Sequence, residues 1–411
     1  MKLKTLLLGS AAALIAVSGA RAADAVVAEP EPVDYVKVCD MYGAGFYYIP
    51  GTETCLSIRG EVRVQYNYRD GNSTPADEDE LLDESYGDET VGTGEWYGRV
   101  NFDAREETDY GTLRSYIRME SVGGSNSAEG GVNVRDAYIE LGGFSTGYRT
   151  SRMELTGLPG QMFDGRYYGG GRTMYADYTW AANGLSVVGG VSLDNESDAF
   201  GTGNAESVDY YLRADYAGGM WNAGAAVGYD NSTEETAYSI YANVTPMDGL
   251  LIQGYFGAQT GATQFGASGY AFSTAAWGAP VNALCTANTA PVAGSTCTFP
   301  IEDYQVWGIG ASYDVMDNVN IALGYYQADW DSYVIPGGTI PGFGGAAHNL
   351  ELYGVSANLA WTIVPNLVLQ LGYNYEETSQ SSTIVNNVNA AFGQTGDWEE
   401  HNYRIRLQRN F

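Results

Sequence analysis

The chain has 411 residues, with 50 acidic against 20 basic, only 17% charged residues, 54 glycines and 33 tyrosines. So acidic a chain is unsuited to nucleic acid, whose phosphates require basic partners. Abundant Gly and Tyr with few charges fits a sheet with aromatic rims better than a helical protein.

Lys2 and Lys4 precede an apolar run over residues 6–17, and Ala20-Arg21-Ala22 forms a small-x-small site. Residues 1–22 therefore read as a cleaved secretory signal. The apolar run is too short for a spanning helix, and no other run is long enough. Beyond residue 22 the chain keeps 20 − 3 = 17 basic residues against 50 acidic, a formal net charge of −33. Residues 23–54 form a lead that is aperiodic at first and then compact between Cys39 and Cys55.

Residues 56–69 alternate strictly. Leu56, Ile58, Val62, Val64, Tyr66 and Tyr68 share one parity, and Ser57, Arg59, Glu61, Arg63, Gln65, Asn67 and Arg69 the other. A period of two is a β-strand with two chemically opposite faces. Residues 70–94 are an acidic loop without a basic residue. Hard divalent cations favour carboxylates, but no calcium-loop spacing is present, and a solvated acidic surface is the simpler reading.

Alternation resumes at Trp96, Val100 and Phe102 against Arg99, Asn101 and Arg105, then at Leu113, Ile117 and Met119 against Arg114, Tyr116 and Arg118. After a loop at 123–131 come Ala137, Ile139 and Leu141, with Arg135 on the wrong parity for that strand, as a bulge or a rim position would place it. A Gly142-Gly143 turn leads to residues 144–149. Residues 150–173 break the pattern and hold Glu154, Pro159, Asp164 and three successive glycines.

Hairpins follow around Asn183-Gly184, Gly218-Gly219, Asp248-Gly249, Asp317-Asn318 and Pro365-Asn366. They are separated by long loops at 194–206, 258–303 and 327–349, and the last strand runs to Phe411. About sixteen strands emerge, their connections alternately long and short, which is the pattern of an up-and-down meander. An even number puts both ends on the short-turn side, where the last strand can pair with the first. Open edges are intolerable in lipid, so the expected fold is an all-β, sixteen-stranded antiparallel transmembrane barrel over residues 55–411. Cys39 and Cys55 lie on the short-turn side, Cys285 and Cys297 in a long loop on the other. A hydrocarbon core of roughly 30 Å separates the two sides, so the expected disulfides are Cys39–Cys55 and Cys285–Cys297.

Residues 23–33 (Ala-Asp-Ala-Val-Val-Ala-Glu-Pro-Glu-Pro-Val), Val38-Cys39-Asp40, Gly43-Ala44-Gly45-Phe46 and the run Tyr48 through Leu56 form a distinctive start. In these residues the sequence resembles the alphaproteobacterial porin family. A terminal Phe411 is shared more widely by outer-membrane barrels. The resemblance implies a homotrimeric outer-membrane porin that passes ions and small hydrophilic solutes passively. It also implies a third loop, residues 150–173, that folds into the lumen and presents Glu154 and Asp164. Arg409 departs from the pattern by lying on the apolar parity of the last strand, where a rim position lets it snorkel.

Nothing indicates catalysis, a cofactor or a metal. The two histidines are His348, in a loop, and His401, whose parity points it outward, and no hydrolase or zinc motif is present. The arginines are more informative. Of sixteen beyond residue 22, twelve lie between Arg59 and Arg172, and Arg213 alone interrupts the stretch from there to Arg404. Arg59, Arg63, Arg99, Arg105, Arg114, Arg118, Arg149, Arg404 and Arg406 fall on polar parities, and closure would join them into one basic sector of the lumen wall. Of these, Arg59, Arg63, Arg99, Arg114, Arg118 and Arg404 should face Glu154 and Asp164 across the narrowest level and create a field across the pore. The acidic mouth points to weak cation preference. A selective channel for sugars or anionic nutrients is the alternative, and a purely structural or adhesive barrel a third possibility.

Overall fold

The structure is a computed structural model that describes residues 37–71, 91–124, 131–155, 157–162, 171–193, 208–231, 234–261, 265, 271–273, 296–298, 301–332, 348–382 and 397–411. Sixteen strands build the barrel. The first eight are β1 (Cys55–Gly71), β2 (Val91–Thr108), β3 (Gly111–Gly124), β4 (Asn133–Leu141), β5 (Phe144–Thr150), β6 (Arg172–Ala182), β7 (Leu185–Leu193) and β8 (Val208–Ala217). The rest are β9 (Trp221–Asp230), β10 (Glu235–Met247), β11 (Leu250–Thr260), β12 (Ile301–Met316), β13 (Val319–Ser332), β14 (His348–Val364), β15 (Leu367–Ser382) and β16 (Asp397–Asn410). Each pairs antiparallel with its sequence neighbours, and β16 pairs with β1 from Glu400↔Gly71 to Asn410↔Glu61, closing the ring.

The expected alternation sets the two faces. Tyr66 (66% exposed), Leu323 (63%), Ile309 and Ile405 point outward as a lipid-facing apolar surface, while Ser57, Glu120, Asp136, Asp177, Gln253 and Ser356 are buried inside. The tight turns use the residues their geometry demands. Asn183 and Gly184 both have positive φ, as a two-residue hairpin turn with primed twist requires. Arg135 is the extra residue of a bulge: β4 pairs Asp136 with Arg118 and Val134 with Met119, and the bulge turns Arg135 inward onto Glu120.

Closure is sealed at the C-terminus. The Phe411 N–H donates to Gly60 O at 3.0 Å, and the Gly60 N–H returns a bond to Phe411 O at 2.9 Å. A Cβ at Gly60 would stand 2.5 Å from the Phe411 ring and 2.3 Å from the Arg99 carbonyl oxygen, so only glycine admits both.

On the short-turn side the lead folds against β1. Asp40–Tyr42 forms one 3-10 turn, Tyr47–Tyr48 pairs with Leu56 and Cys55, and the Cys39–Cys55 disulfide joins the two, with Cα atoms 6.0 Å apart. Cys39, Phe46 and Cys55 are buried together beneath Tyr42 and Tyr48. The Cys285–Cys297 expectation falls outside the described residues: Cys285 is not among them, and for Cys297 only the backbone, paired with Phe272, is described.

Candidate functional site: the lumen and its third loop

Between β5 and β6, residues 151–155 and 157–162 enter the barrel instead of projecting from it. Their departure is fixed locally: Ser151 N–H donates to Gly171 O at 2.8 Å, and Ser151 Oγ accepts from Met153 N–H at 3.1 Å. Met153, Leu155, Leu158 and Met162 are then almost completely buried. Three of them join Val188, Tyr211, Ala226, Tyr255, Val306 and Tyr326 in one apolar cluster on the inner wall from β7 to β14. Burial of such side chains is worth about 1.5–3 kcal/mol each, so the loop docks mainly by hydrophobic contact.

Polar contacts set its course around the wall. Arg152 binds Asp177 of β6 through Nε at 2.8 Å and Nη2 at 3.2 Å. Arg213 of β8 donates from Nη1 to the carbonyls of Arg152 (2.8 Å) and Glu154 (3.3 Å), while Asp215 holds its other face. Gln253 of β11 donates to Gly157 O at 3.3 Å, and Gln161 donates to Ser356 Oγ of β14 at 2.8 Å. On β16, Arg404 and Arg406 both donate to Met162 O. Small inward positions leave room for this path. A Cβ on Gly324 would meet Leu158 at 3.0 Å, and one on Gly372 would meet the Met162 sulfur at 2.9 Å. The loop thus occupies the wall from β6 round to β16, and the inner face of β1–β5 stands opposite.

That face carries the arginines, interleaved with carboxylates. Arg63 pairs with Glu61 (3.0 Å) and Arg99 with Glu61 (3.6 Å) and Glu120 (3.3 Å). Arg105 and Arg114 share Asp103, at 2.7 and 2.9 Å, and Arg114 also reaches Glu140 at 2.9 Å. Arg118 pairs with Asp136 at 2.5 Å. Arg59 and Arg105 sit at the lead: Arg59 donates to Ala44 O at 2.9 Å, and both guanidiniums lie over the Phe46 ring. Arg404 and Arg406 bridge from Asn67 and Gln65 of β1 to the loop. Arg149 lies over the rings of Tyr138 and Tyr175.

Glu154 faces Arg172, Arg118 and Arg149, none of them within ion-pair distance of it. Burial pushes its carboxyl above the ordinary glutamate range, against the pull of Arg172, Arg118 and Arg149. Asp164 lies outside the described residues. His401 accompanies Tyr373, Tyr375 and Tyr403, with Nδ1 2.9 Å from the Tyr373 hydroxyl.

Sequence patterning put Glu61 on a polar parity but gave no role to the wall carboxylates Glu61, Asp103, Glu120, Asp136, Glu140 and Asp177, or to Arg213 as an anchor. The signal was present. Glu61, Asp103, Glu120 and Asp136 lie within two residues of an arginine, and Arg213 is the one arginine between Arg172 and Arg404. The lumen is therefore a charge-alternating wall and not a purely basic one.

Residues 24–402 match the family model described as Porin subfamily. The chain belongs to this porin family. Among curated relatives it is 35% identical over 375 residues to porin Omp2b of Brucella neotomae, covering 84% of this chain and 90% of the relative. It is 32% identical over 385 residues to porin Omp2a of Brucella suis biovar 1, with the same coverage. Solved structures share the fold. The outer membrane channel DcaP of Acinetobacter baumannii superposes with a TM-score of 0.61 at 14% identity, over 89% of this chain and 99% of that one. An anion-selective porin from Comamonas acidovorans gives 0.52 at 13% identity, over 87% and 100%. The protein is an outer-membrane porin, a channel and not an enzyme.

Proposed function

We propose that this porin is a passive diffusion pore for ions and small hydrophilic solutes, assembled as a homotrimer in outer-membrane lipid and exported by a leader cleaved after residue 22. The observation that carries the reading is the third loop. It is packed on one side of the lumen by Met153, Leu155, Leu158 and Met162 and leaves a charged wall opposite. At that passage Arg118, Arg149 and Arg172 stand against Glu154, with Arg404 on the Met162 carbonyl. Opposed charges set a transverse field that orders water and disfavours apolar solutes. Asp164 would add to the loop's side of it.

Weak cation preference follows from charge balance at the long-loop mouth. There Glu376 pairs in register with Glu400 and Glu377 with Glu399, and the acidic residues of 72–90 connect β1 to β2. Cations are concentrated at entry, and the arginines inside temper the effect. Reversal potentials across a KCl gradient test it: a small shift toward the cation potential is expected, and a shift toward chloride would refute it. The homotrimer is tested by a heat-modifiable band on an unheated SDS gel, with a monomer in mild detergent as the contrary result. A selective channel for anionic solutes is favoured by one observation, the Arg149 guanidinium, which among the described residues has no carboxylate partner.

A further inference from the structure

Lumenal side chains of adjacent strands form a row across the wall. In register, Tyr116 of β3 pairs with Tyr138 of β4, Tyr138 with Gly147 of β5, and Gly147 with Tyr175 of β6. The Tyr116 and Tyr138 rings stack, with centroids 5.0 Å apart and planes 25° from parallel. Gly147 is the gap in the row, and the backbone requires it: φ is +145°, and a Cβ would stand 2.3 Å from the Ala137 carbonyl oxygen. One turn of the pleat further on, Arg149 places its guanidinium over Tyr138 at 5.1 Å and Tyr175 at 5.7 Å.

Arg149 differs from its neighbours. Arg114 lies over Tyr116 and Tyr138 but is held by Asp103 and Glu140. Arg118 has Asp136, and Arg152 has Asp177. Among the described residues Arg149 has ring contacts but neither a hydrogen bond nor an ion pair, while its side chain remains partly accessible. Glu154 lies near it without pairing. A guanidinium fixed over two rings with its N–H donors uncommitted is prepared to take a carboxylate by two parallel bonds. The adjoining stacked tyrosines offer an aromatic face on which a planar ring attached to that carboxylate would lie.

We infer that Arg149 with Tyr138 and Tyr116 forms a subsite in the pore for aromatic monocarboxylates of the benzoate class. Arg149 takes the carboxylate and the tyrosine pair takes the ring. The subsite rests on the porin reading and adds a solute class to it. Neither half suffices alone: acetate lacks the ring, and an aliphatic ring acid lacks the planar π-face.

The test is single-channel current through the purified porin in a planar bilayer at about 0.1 M KCl, where charges are weakly screened. Potassium benzoate, cyclohexanecarboxylate and acetate are titrated in turn. Benzoate should reduce the current saturably, and cyclohexanecarboxylate should need about tenfold more for the same reduction, the ratio that about 1.4 kcal/mol of ring stacking gives. Arg149→Gln should weaken the benzoate effect by tenfold or more, since a charge-assisted pair is lost. Tyr138→Leu should bring benzoate and cyclohexanecarboxylate together. Equal effects of the two acids on the unaltered porin, or no saturable effect of benzoate, would overturn the subsite while leaving the pore intact. Absence of KCl conductance would overturn the porin reading and the subsite with it.

Discussion

Arg213 is a polar anchor of the third loop, and its replacement by alanine should loosen that loop without harming the barrel. Its guanidinium donates to two loop carbonyls, Arg152 O and Glu154 O, while Asp215 accepts from Nε and Nη2 at 2.8–2.9 Å. Hydrogen bonds to a charged group contribute about 1.5–3 kcal/mol each. Water in the lumen can rehydrate the freed carbonyls, so about 2–3 kcal/mol in total is the reasonable loss. That shifts the balance between docked and released loop by roughly 30- to 150-fold. The strand ladder from β1 to β16 is untouched, so heat-modifiability on SDS gels should persist. Single-channel recordings should show more frequent closures and a noisier open level. Arg213→Lys keeps the charge, but a compact ammonium cannot span two carbonyls and Asp215 together, so it should resemble alanine more than arginine. If both variants record like the unaltered porin, the loop is not held in the way its contacts imply, and the reasoning from Arg213 fails.

Further outcomes follow from other contacts. Glu154→Gln should move the reversal potential toward anions. Because burial raises the Glu154 carboxyl, its negative charge is present well above its own titration point and is lost on acidification earlier than that of an ordinary glutamate. Mild acid should therefore bring the unaltered porin toward the variant, and a pH-independent difference between them would count against it. Cys39→Ser opens a loop closed over a separation of 16 residues, at a cost of about 3 kcal/mol. Limited proteolysis should then cut residues 37–54 while conductance persists, and unchanged protection would show that burial of Phe46 holds the lead alone. Gly60→Ala meets both the Arg99 carbonyl and the Phe411 ring and should reduce the yield of heat-modifiable barrel; normal assembly would contradict the tight seal described there.

Much of the fold was legible because its physics is local and repetitive. The two-residue period assigns every side chain to lipid or lumen, and turn residues such as Asn183-Gly184 mark the short connections. Arg135, on the wrong parity, fitted a bulge or a rim position, and the bulge is what forms. The site was legible only by half. That loop 150–173 turns inward came from resemblance, because its buried anchors Met153, Leu155, Leu158 and Met162 show no periodicity that a sequence pattern detects. The receiving wall is built from residues on β7 to β16 that meet only once the ring is closed. Which arginines face Glu154 was equally hidden. Arg59 and Arg114 share the polar parity of Arg118, yet Arg59 serves the lead and Arg114 is held by Asp103, while Arg118, Arg149 and Arg172 gather around the loop. Parity gives the face of a strand; height along the pore depends on stagger, which one strand alone does not reveal.

The most direct test of the central claim, that solutes pass between the docked loop and the arginine wall, is planar-bilayer conductance of the purified oligomer beside its Glu154→Gln variant. Stable open channels are expected in KCl, with a small cation shift of the reversal potential in a salt gradient and a move toward anions in the variant. Absence of conductance, or identical selectivity and single-channel current in the two proteins, would contradict that claim.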